Sequence, residues 1–141
     1  FVVIAGISEA GVVEEIGKAF ASFADGNVFV AYTMIVWASV LFSAFIDNIP
    51  YVATMLPVTA VIASHLGVHP TVMYFGLLVG ATLGGNITPI GASANITSLG
   101  ILRKNGYEVK NWDFMRISIP FTLLAVVSGY VLVWLFWGIG A

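Results

Sequence analysis

The chain has 141 residues, 60% of them hydrophobic and 9% charged, with a net charge of −2 and a mean hydropathy of +1.02. A soluble domain carries roughly 25% charged residues, so this chain lacks the polar surface to cover itself in water. The absence of a basic excess argues against a nucleic-acid partner. The absence of cysteine excludes disulfides, thiolate metal sites and cysteine nucleophiles.

The chain opens on Phe1, and the apolar run 1–7 is interrupted at Glu9. That run falls short of the ~20 residues a membrane span requires, and it lacks the basic region and cleavage site of a signal peptide. It reads as the end of a helix that begins upstream, making the chain one part of a longer polypeptide. Over 11–23, Val12, Val13, Ile16, Ala19, Phe20 and Phe23 recur at three- and four-residue intervals, with Glu14, Glu15 and Lys18 between them. This predicts an amphipathic helix at the membrane surface or along a bundle, closed by the turn Asp25-Gly26-Asn27.

Residues 28–46 are uncharged and then meet Asp47-Asn48-Ile49-Pro50. The apolar character resumes over 51–65, roughly 15 residues or ~22 Å of helix, short of a ~30 Å hydrocarbon core. A re-entrant hairpin over 28–65, with its tip at 47–50, fits better than two spans. A connection at 67–70 leads to an apolar helix carrying Gly76, Gly80 and Gly84, a spacing that lets another helix approach closely. Residues 84–95 then concentrate glycines and a proline that a regular helix does not tolerate. A short helix resumes over 96–102, making 70–102 one broken helix.

The polar segment 103–116 holds four of the five basic residues, and the positive-inside bias makes it a cytoplasmic loop. Residues 117–138 are the cleanest span, with Trp112 near one end and Trp134 and Trp137 near the other as interfacial anchors. The carboxyl end and the mouth of the hairpin are then outside. Two full spans in place of the hairpin give the same parity.

Two interruptions of hydrophobicity carry the functional reading. Asp47 is an acid between apolar runs, and burying such a charge costs ~2.5–3.5 kcal/mol on insertion scales. Ser39, Ser43 and Asp47 are four apart, so on one helix they share a face. This is either a polar stripe ending at a proton- or ion-binding carboxylate, or an aqueous loop in which Asp47 caps the next helix. In the broken helix, Asn86-Ile87-Thr88 and Asn95-Ile96-Thr97 repeat nine residues apart. An intact helix turns them ~900° apart, onto opposite faces, whereas an unwound one lets both approach one site. Free carbonyls with Asn, Ser and Thr oxygens suit a hard cation such as sodium, and the amino end of the resumed helix suits an oxyanion. Both triplets match the glycosylation pattern by chance, since membrane depth makes them unreachable. His65 and His69 read as interfacial residues, the methionines as packing, and Arg103, Lys104, Lys110 and Arg116 as topology determinants.

SAFIDNIPYVATMLPV (43–58) followed by LLVGATLGGNITPIGASANITSLGIL (77–102) resembles the ion transporter superfamily. The closest likeness is to the branch of arsenite permeases, the NhaD sodium/proton antiporter and the P protein. The resemblance implies an all-α membrane fold of two inverted repeats, each with a re-entrant hairpin and a broken helix. This chain is similar to the second, C-terminal repeat, and the missing N-terminal half would complete the site. Where dicarboxylate symporters of the superfamily carry Ser-Asn-Thr, this sequence has Asp47-Asn48-Ile49. Asn48 carries over as a candidate ligand, while Asp47 and Ile49 depart from the pattern. Gly91, Ser93 and Asn95 match the small, polar loop of the broken helix.

The function so implied is ion-coupled secondary transport of a small ion or anion, such as arsenite or sodium, across a plasma or bacterial inner membrane. Asp47, Asn48, Thr88, Gly91, Ser93 and Asn95 form the candidate site, with sodium at Asn48, Ser93 and Asn95. No cofactor is expected beyond a coupling sodium ion or proton. The partners are the lipid bilayer, the other repeat and, in several relatives, a second copy, with elevator-like or rocking movement. A channel-like pore could use the same lining. An intramembrane enzyme would need a second acid beside Asp47 from outside this chain, and no Gly-x-Ser-x-Gly or His-Glu-x-x-His motif is present.

Overall fold

The computed structural model describes residues 2–139, leaving Phe1, where the first apolar run begins, and 140–141 outside the described residues. Among these the fold is all-helical: α1 (Val2–Glu9), α2 (Val12–Phe23), α3 (Val28–Ser43), α4 (Asn48–Leu66), α5 (Thr71–Gly84), α6 (Ser93–Lys104) and α7 (Asn111–Val133), which continues as a π-helical turn, Trp134–Gly138.

Local chemistry sets the ends of these helices. Gly11, at φ +75°, separates α1 from α2. Asn27 caps α3, its Oδ1 accepting from Phe29 N at 2.9 Å and Val30 N at 3.2 Å. Asp47 caps α4, accepting from Ile49 N at 3.4 Å, and Gly67, at φ +67°, ends that helix in the left-handed conformation. The fully buried centre is built from Tyr32, Ile35 and Val36 of α3, Val58 and Ile62 of α4, Met73 and Leu77 of α5, and Val126 of α7.

The relation of α3 to α5 positions everything else. A Cβ on Gly76 would lie 2.6 Å from Tyr32 Cε2, one on Gly80 would strike the Val36 carbonyl oxygen, and one on Gly84 would lie 2.7 Å from Val40 Cα. In each pair the residues are 44 positions apart (76 and 32, 80 and 36, 84 and 40). A constant difference means that the two helices run side by side in the same direction. Because the chain must return between them, α4 leads back from the end of α3 to the start of α5, lying against α2 and α5. The last helix runs the other way: Ser118 bonds to Ile87, Gly129 meets Val79, and Trp137 stacks on Phe75. Residue numbers rise along α7 as they fall along α5, so these two are antiparallel.

Three boundaries depart from the sequence reading. The second arm, read as 51–65, is Asn48–Leu66, 19 residues or ~28 Å. Asn48–Pro50 form its first turn, where proline is tolerated because its N–H would be unpaired anyway. The connection therefore moves to 44–47, and length no longer separates this arm from a span. Asn48–Leu66 and Asn111–Gly138 are each long and apolar enough to cross a membrane. The resumed helix, read as 96–102, is Ser93–Lys104, and the polar loop, read as 103–116, shrinks to 105–110. Charge did not stop either helix: Arg103 and Lys104 occupy the last turn of α6 and Asp113 the first turn of α7, positions that the helix dipole favours. Gly106, at φ +85°, makes the turn. Finally, the span expected at 117–138 begins six residues earlier, at Asn111.

Candidate functional site: the junction of two helix ends

Because α3 and α5 run in parallel and in register, they end at the same level. The turn after α3 (44–47) and the break after α5 (85–92) therefore meet. Thr88 continues the 44-residue register: its buried hydroxyl donates to the Ala44 carbonyl oxygen. Thr88 Oγ1 in turn accepts from Gly91 N at 3.0 Å and Ile90 N at 3.3 Å. One side chain thus folds the break and fastens it to the end of α3.

Gly91 lies at the centre. A Cβ there would sit 2.6 Å from the Gly85 carbonyl oxygen, 2.7 Å from that of Ala44 and 2.8 Å from that of Ser43. Three backbone oxygens from two separate turns converge on a position that only glycine leaves open. Asn95, in the first turn of α6, holds one side of this arrangement. Its Nδ2 donates to Gly85 O and Thr88 O, both at 3.1 Å. Ser43 Oγ donates to Ala81 O at 2.6 Å, tying α3 to α5 beneath the junction, and Ser118 Oγ donates to Ile87 O at 3.0 Å, tying in α7.

The structure brings Thr88, Gly91 and Asn95 together and adds the backbone oxygens of Ala44 and Gly85, which the sequence reading did not select, and of Ser43, which it placed only in a polar stripe with Ser39 and Asp47. Their contribution is through backbone oxygen, which leaves no side-chain signature. The only signal was the density of small residues around them. Asn86 and Asn95 line one groove, between α6 and α7. Ser93 is exposed at the start of α6, with its carbonyl accepting from Thr97 Oγ1 at 2.9 Å. Asn48 lines a different groove, against Leu78 and Thr82 of α5. Asp47 is half-buried at its capping position. The helical phase of α3 stops at Ser43, so a shared face does not extend to Asp47. The serines bond within the bundle instead, with Tyr51 Oη donating to Ser39 Oγ at 3.2 Å. His65 and His69 lie by the α4–α5 connection, at the opposite end. No group of three His, Asp or Glu able to hold a metal ion occurs among the described residues. Any cation here would meet neutral oxygens.

At the amino end of α6 the capping position is Ala92, which supplies no side-chain acceptor. No side chain caps the first turn of α6, where Asn95 N donates to Ala92 O at 3.0 Å, and this turn starts two residues along the chain from Gly91. Carbonyl oxygens and a helix amino end, groups of opposite polarity, thus adjoin.

Comparison with known proteins identifies the family. The family model described as "CitMHS: Citrate transporter" matches residues 1–140. An uncharacterised transporter of Mycobacterium tuberculosis is 39% identical over 137 residues, covering 96% of this chain and 32% of the relative. The "46 kDa membrane protein" of Mycobacterium leprae is 31% identical with the same coverage. The P protein of Mus musculus is 35% identical over 136 residues, covering 92% of this chain and 16% of the relative. The chain thus spans about a third of the length of the mycobacterial relatives. No solved structure matches. With an all-helical fold, two helices fit to cross a membrane and a family match along its whole described length, the chain is an integral membrane protein that belongs to the CitMHS citrate transporter family of the ion transporter superfamily.

Proposed function

We propose that this chain supplies the cation-coupled part of a secondary transporter for a small anion, with the junction of α3 and α5 as its site. The observation that carries the reading is that the Ser43, Ala44 and Gly85 carbonyl oxygens, from two separate helix ends, gather against the Gly91 backbone; a cation would sit beside this cluster, since the Cβ position itself lies one bond from Gly91 Cα. Rings of carbonyl dipoles are a recurrent way of replacing the hydration shell of a cation inside a membrane. Ala44 O and Gly85 O each accept one protein hydrogen bond, from Thr88 and Asn95, and each keeps a second lone pair. Thr88 and Asn95 then serve mainly to hold carbonyls in place, a change of role from direct ligands. Sodium, a hard monovalent cation, suits such neutral oxygens.

The uncapped start of α6 would receive the anion. A bound cation beside it raises anion affinity by attraction in a low-dielectric site, and by linkage the anion raises cation affinity equally. That reciprocity is the physical content of coupling. Discontinuous helices with such ends are the usual place for substrate and ion in this class of transporter. The family description makes citrate the first substrate to try, with arsenite and sodium exchange as alternatives.

The 28 helical residues 111–138 extend ~42 Å, matching a bilayer with its headgroups at ~40–45 Å. The Ser118–Ile87 bond sets the break seven residues (118 − 111), or ~10 Å, from the basic end of that helix. The chain would then be embedded with 105–110 on the cytoplasmic side and the site nearer that face. Re-entry of the α3–α4 hairpin, the inverted second repeat and pairing into a dimer belong to the same proposal.

Full-length protein in liposomes tests it. Citrate uptake driven by an inward sodium gradient should fall at least about tenfold in Gly91→Ala, a loss of ~1.4 kcal/mol of binding or more. A matched gel-filtration profile and circular dichroism spectrum would show that the variant is folded. Uptake unchanged when choline replaces sodium and when the proton gradient is collapsed would end the coupling hypothesis. Asp47→Ala separates the ions. If proton-driven uptake stays at the wild-type level, Asp47 is a helix cap and the cluster at Gly91 carries coupling alone.

A further inference from the structure

α2 packs chiefly on α4, and the two meet at backbone distance. A Cβ on Gly17 would lie 2.6 Å from Val61 Cγ1 and 3.6 Å from the Val58 carbonyl oxygen. The two flanks of α2 meet different ends of α4. Ile16 and Phe20 share a hollow with Tyr51 and Met55, whereas Glu14 and Lys18 share one with Ser64 and His65. A step of one turn along α2, from 16 to 20 or from 14 to 18, thus leaves the position along α4 unchanged. A step across its width goes from 55 to 64 of α4, nine residues (64 − 55) or ~13 Å, about one helix diameter. The two helices therefore cross at nearly a right angle. The polarity of α2 follows the axis of α4 as well. At ~100° per residue, Val13, Gly17 and Ala24 form the buried stripe, with Val12, Ile16 and Phe23 to one side and Glu14, Glu15 and Lys18 to the other. The apolar flank, exposed at all three residues, faces the junction end of α4. The charged flank faces its far end.

The level of this crossing follows from the helix lengths. From Asp47 to Val61 is 14 residues (61 − 47), or ~21 Å, and the junction stands ~10 Å from the basic end of α7. α2 then lies ~31 Å from that end, while a ~30 Å core centred on the ~42 Å length of 111–138 has its far edge at ~36 Å. The helix is thus ~5 Å inside the edge, the depth at which amphipathic helices lie in a membrane boundary. We infer that α2 is an in-plane helix docked on the lipid boundary opposite the basic end of α7, with its apolar flank against acyl chains and its charged flank in the headgroup layer. Two separate observations select lipid over a protein partner. The polarity of α2 points along the axis of α4, a helix long and apolar enough to cross the membrane, and its level matches the hydrocarbon edge. Residues 1–27 carry Glu9, Glu14, Glu15 and Asp25 against Lys18, a net charge of −3 (1 − 4). Apolar area, and not attraction to anionic headgroups, therefore holds α2 in place. The level rests on the placement of 111–138 proposed above; the orientation of the flanks does not.

The test is spin labelling of full-length protein in phosphatidylcholine nanodiscs. Single-cysteine variants carry a nitroxide at Val12, Ile16 or Phe23 on one flank and at Glu15, Lys18 or Ser22 on the other. Collision with oxygen, which partitions into lipid, is compared with collision with a nickel chelate, which stays in water. The oxygen-to-nickel ratio should be about tenfold higher on the apolar flank, and unchanged when phosphatidylglycerol replaces part of the lipid. Ile16→Glu should lower the ratio at 12 and 23 several-fold, whereas Ile16→Leu should not. Equal ratios on the two flanks overturn the inference, because water then surrounds the helix. So does low collision with both reagents at 12, 16 and 23, the signature of a protein partner, or a ratio that rises only with phosphatidylglycerol. None of these readings involves sodium-driven uptake, so this inference and the coupling proposal fail separately.

Discussion

The same three helices, α3, α5 and α7, are closed by different chemistry at their two ends. At one end the closure is made by side chains. Tyr32 stacks on Tyr130 with ring centroids 5.1 Å apart, and Phe29 meets Trp134 edge-on at 4.7 Å. Tyr32 Oη donates to Tyr130 O at 2.8 Å, and Thr33 Oγ1 pairs with Tyr130 Oη at 2.7 Å. At the other end, the junction is made of backbone. Carbonyl oxygens face a glycine, and Thr88 and Asn95 hold the loop by bonding to main-chain atoms. Aromatic packing is energetically large and tolerates small adjustments of ring position. A junction of carbonyls has no such slack, because a single methyl group on Gly91 would strike three backbone oxygens. One end anchors the bundle, and the other is the end proposed above to bind.

This contrast can be broken by substitution. The largest effect is expected in the shared seam between the two ends. Gly80→Leu would drive a side chain into the Val36 carbonyl and Ser39, and overpacking costs of about 1–3 kcal/mol or more should prevent recovery of folded protein in fluorescence-detected gel filtration. Thr88→Val keeps the shape of the side chain but leaves Ala44 O without its partner and the Gly91 N–H with only its longer bond, 3.4 Å, to Thr88 O. A stability loss of about 1–3 kcal/mol is expected by thermal unfolding in detergent, together with a disproportionate loss of sodium-dependent uptake. Tyr32→Phe, at the aromatic end, removes one hydrogen bond and retains the stacking. It should lower stability by about 1 kcal/mol and leave the sodium dependence of uptake unchanged. If Tyr32→Phe alters sodium dependence as much as Thr88→Val does, the division of labour between the ends is wrong. The smallest effect belongs to neither end: Lys18→Ala breaks the exposed i,i+4 pair with Glu14 at 3.9 Å and should shift stability by no more than about 0.5 kcal/mol.

Much of this was legible without coordinates, and particular residues show why. Apolar runs set the number of helices and their order, because burying a run of such side chains is favourable in almost any arrangement. Gly76, Gly80 and Gly84 read as a seam because spacing alone places them on one face. The break at 85–92 was marked by its glycines and Pro89. Asp47 shows the opposite case. A lone acid between apolar runs is compatible with a binding carboxylate and with a cap, and its packing depends on where α3 ends. It ends at Ser43, and Asp47 caps α4; whether the same carboxylate also takes up an ion is what Asp47→Ala decides.

What the sequence by itself determined is composition-driven: a membrane protein, helical throughout its described length, interrupted at two places. What only the tertiary structure decided is that the two interruptions coincide. Their meeting follows from the parallel, in-register packing of α3 on α5, which a return helix between them makes necessary. The groups that then converge on Gly91 are backbone carbonyls, which every residue carries and no residue type announces. A site made of side chains can be read one letter at a time; this one exists only once two distant turns share the same space.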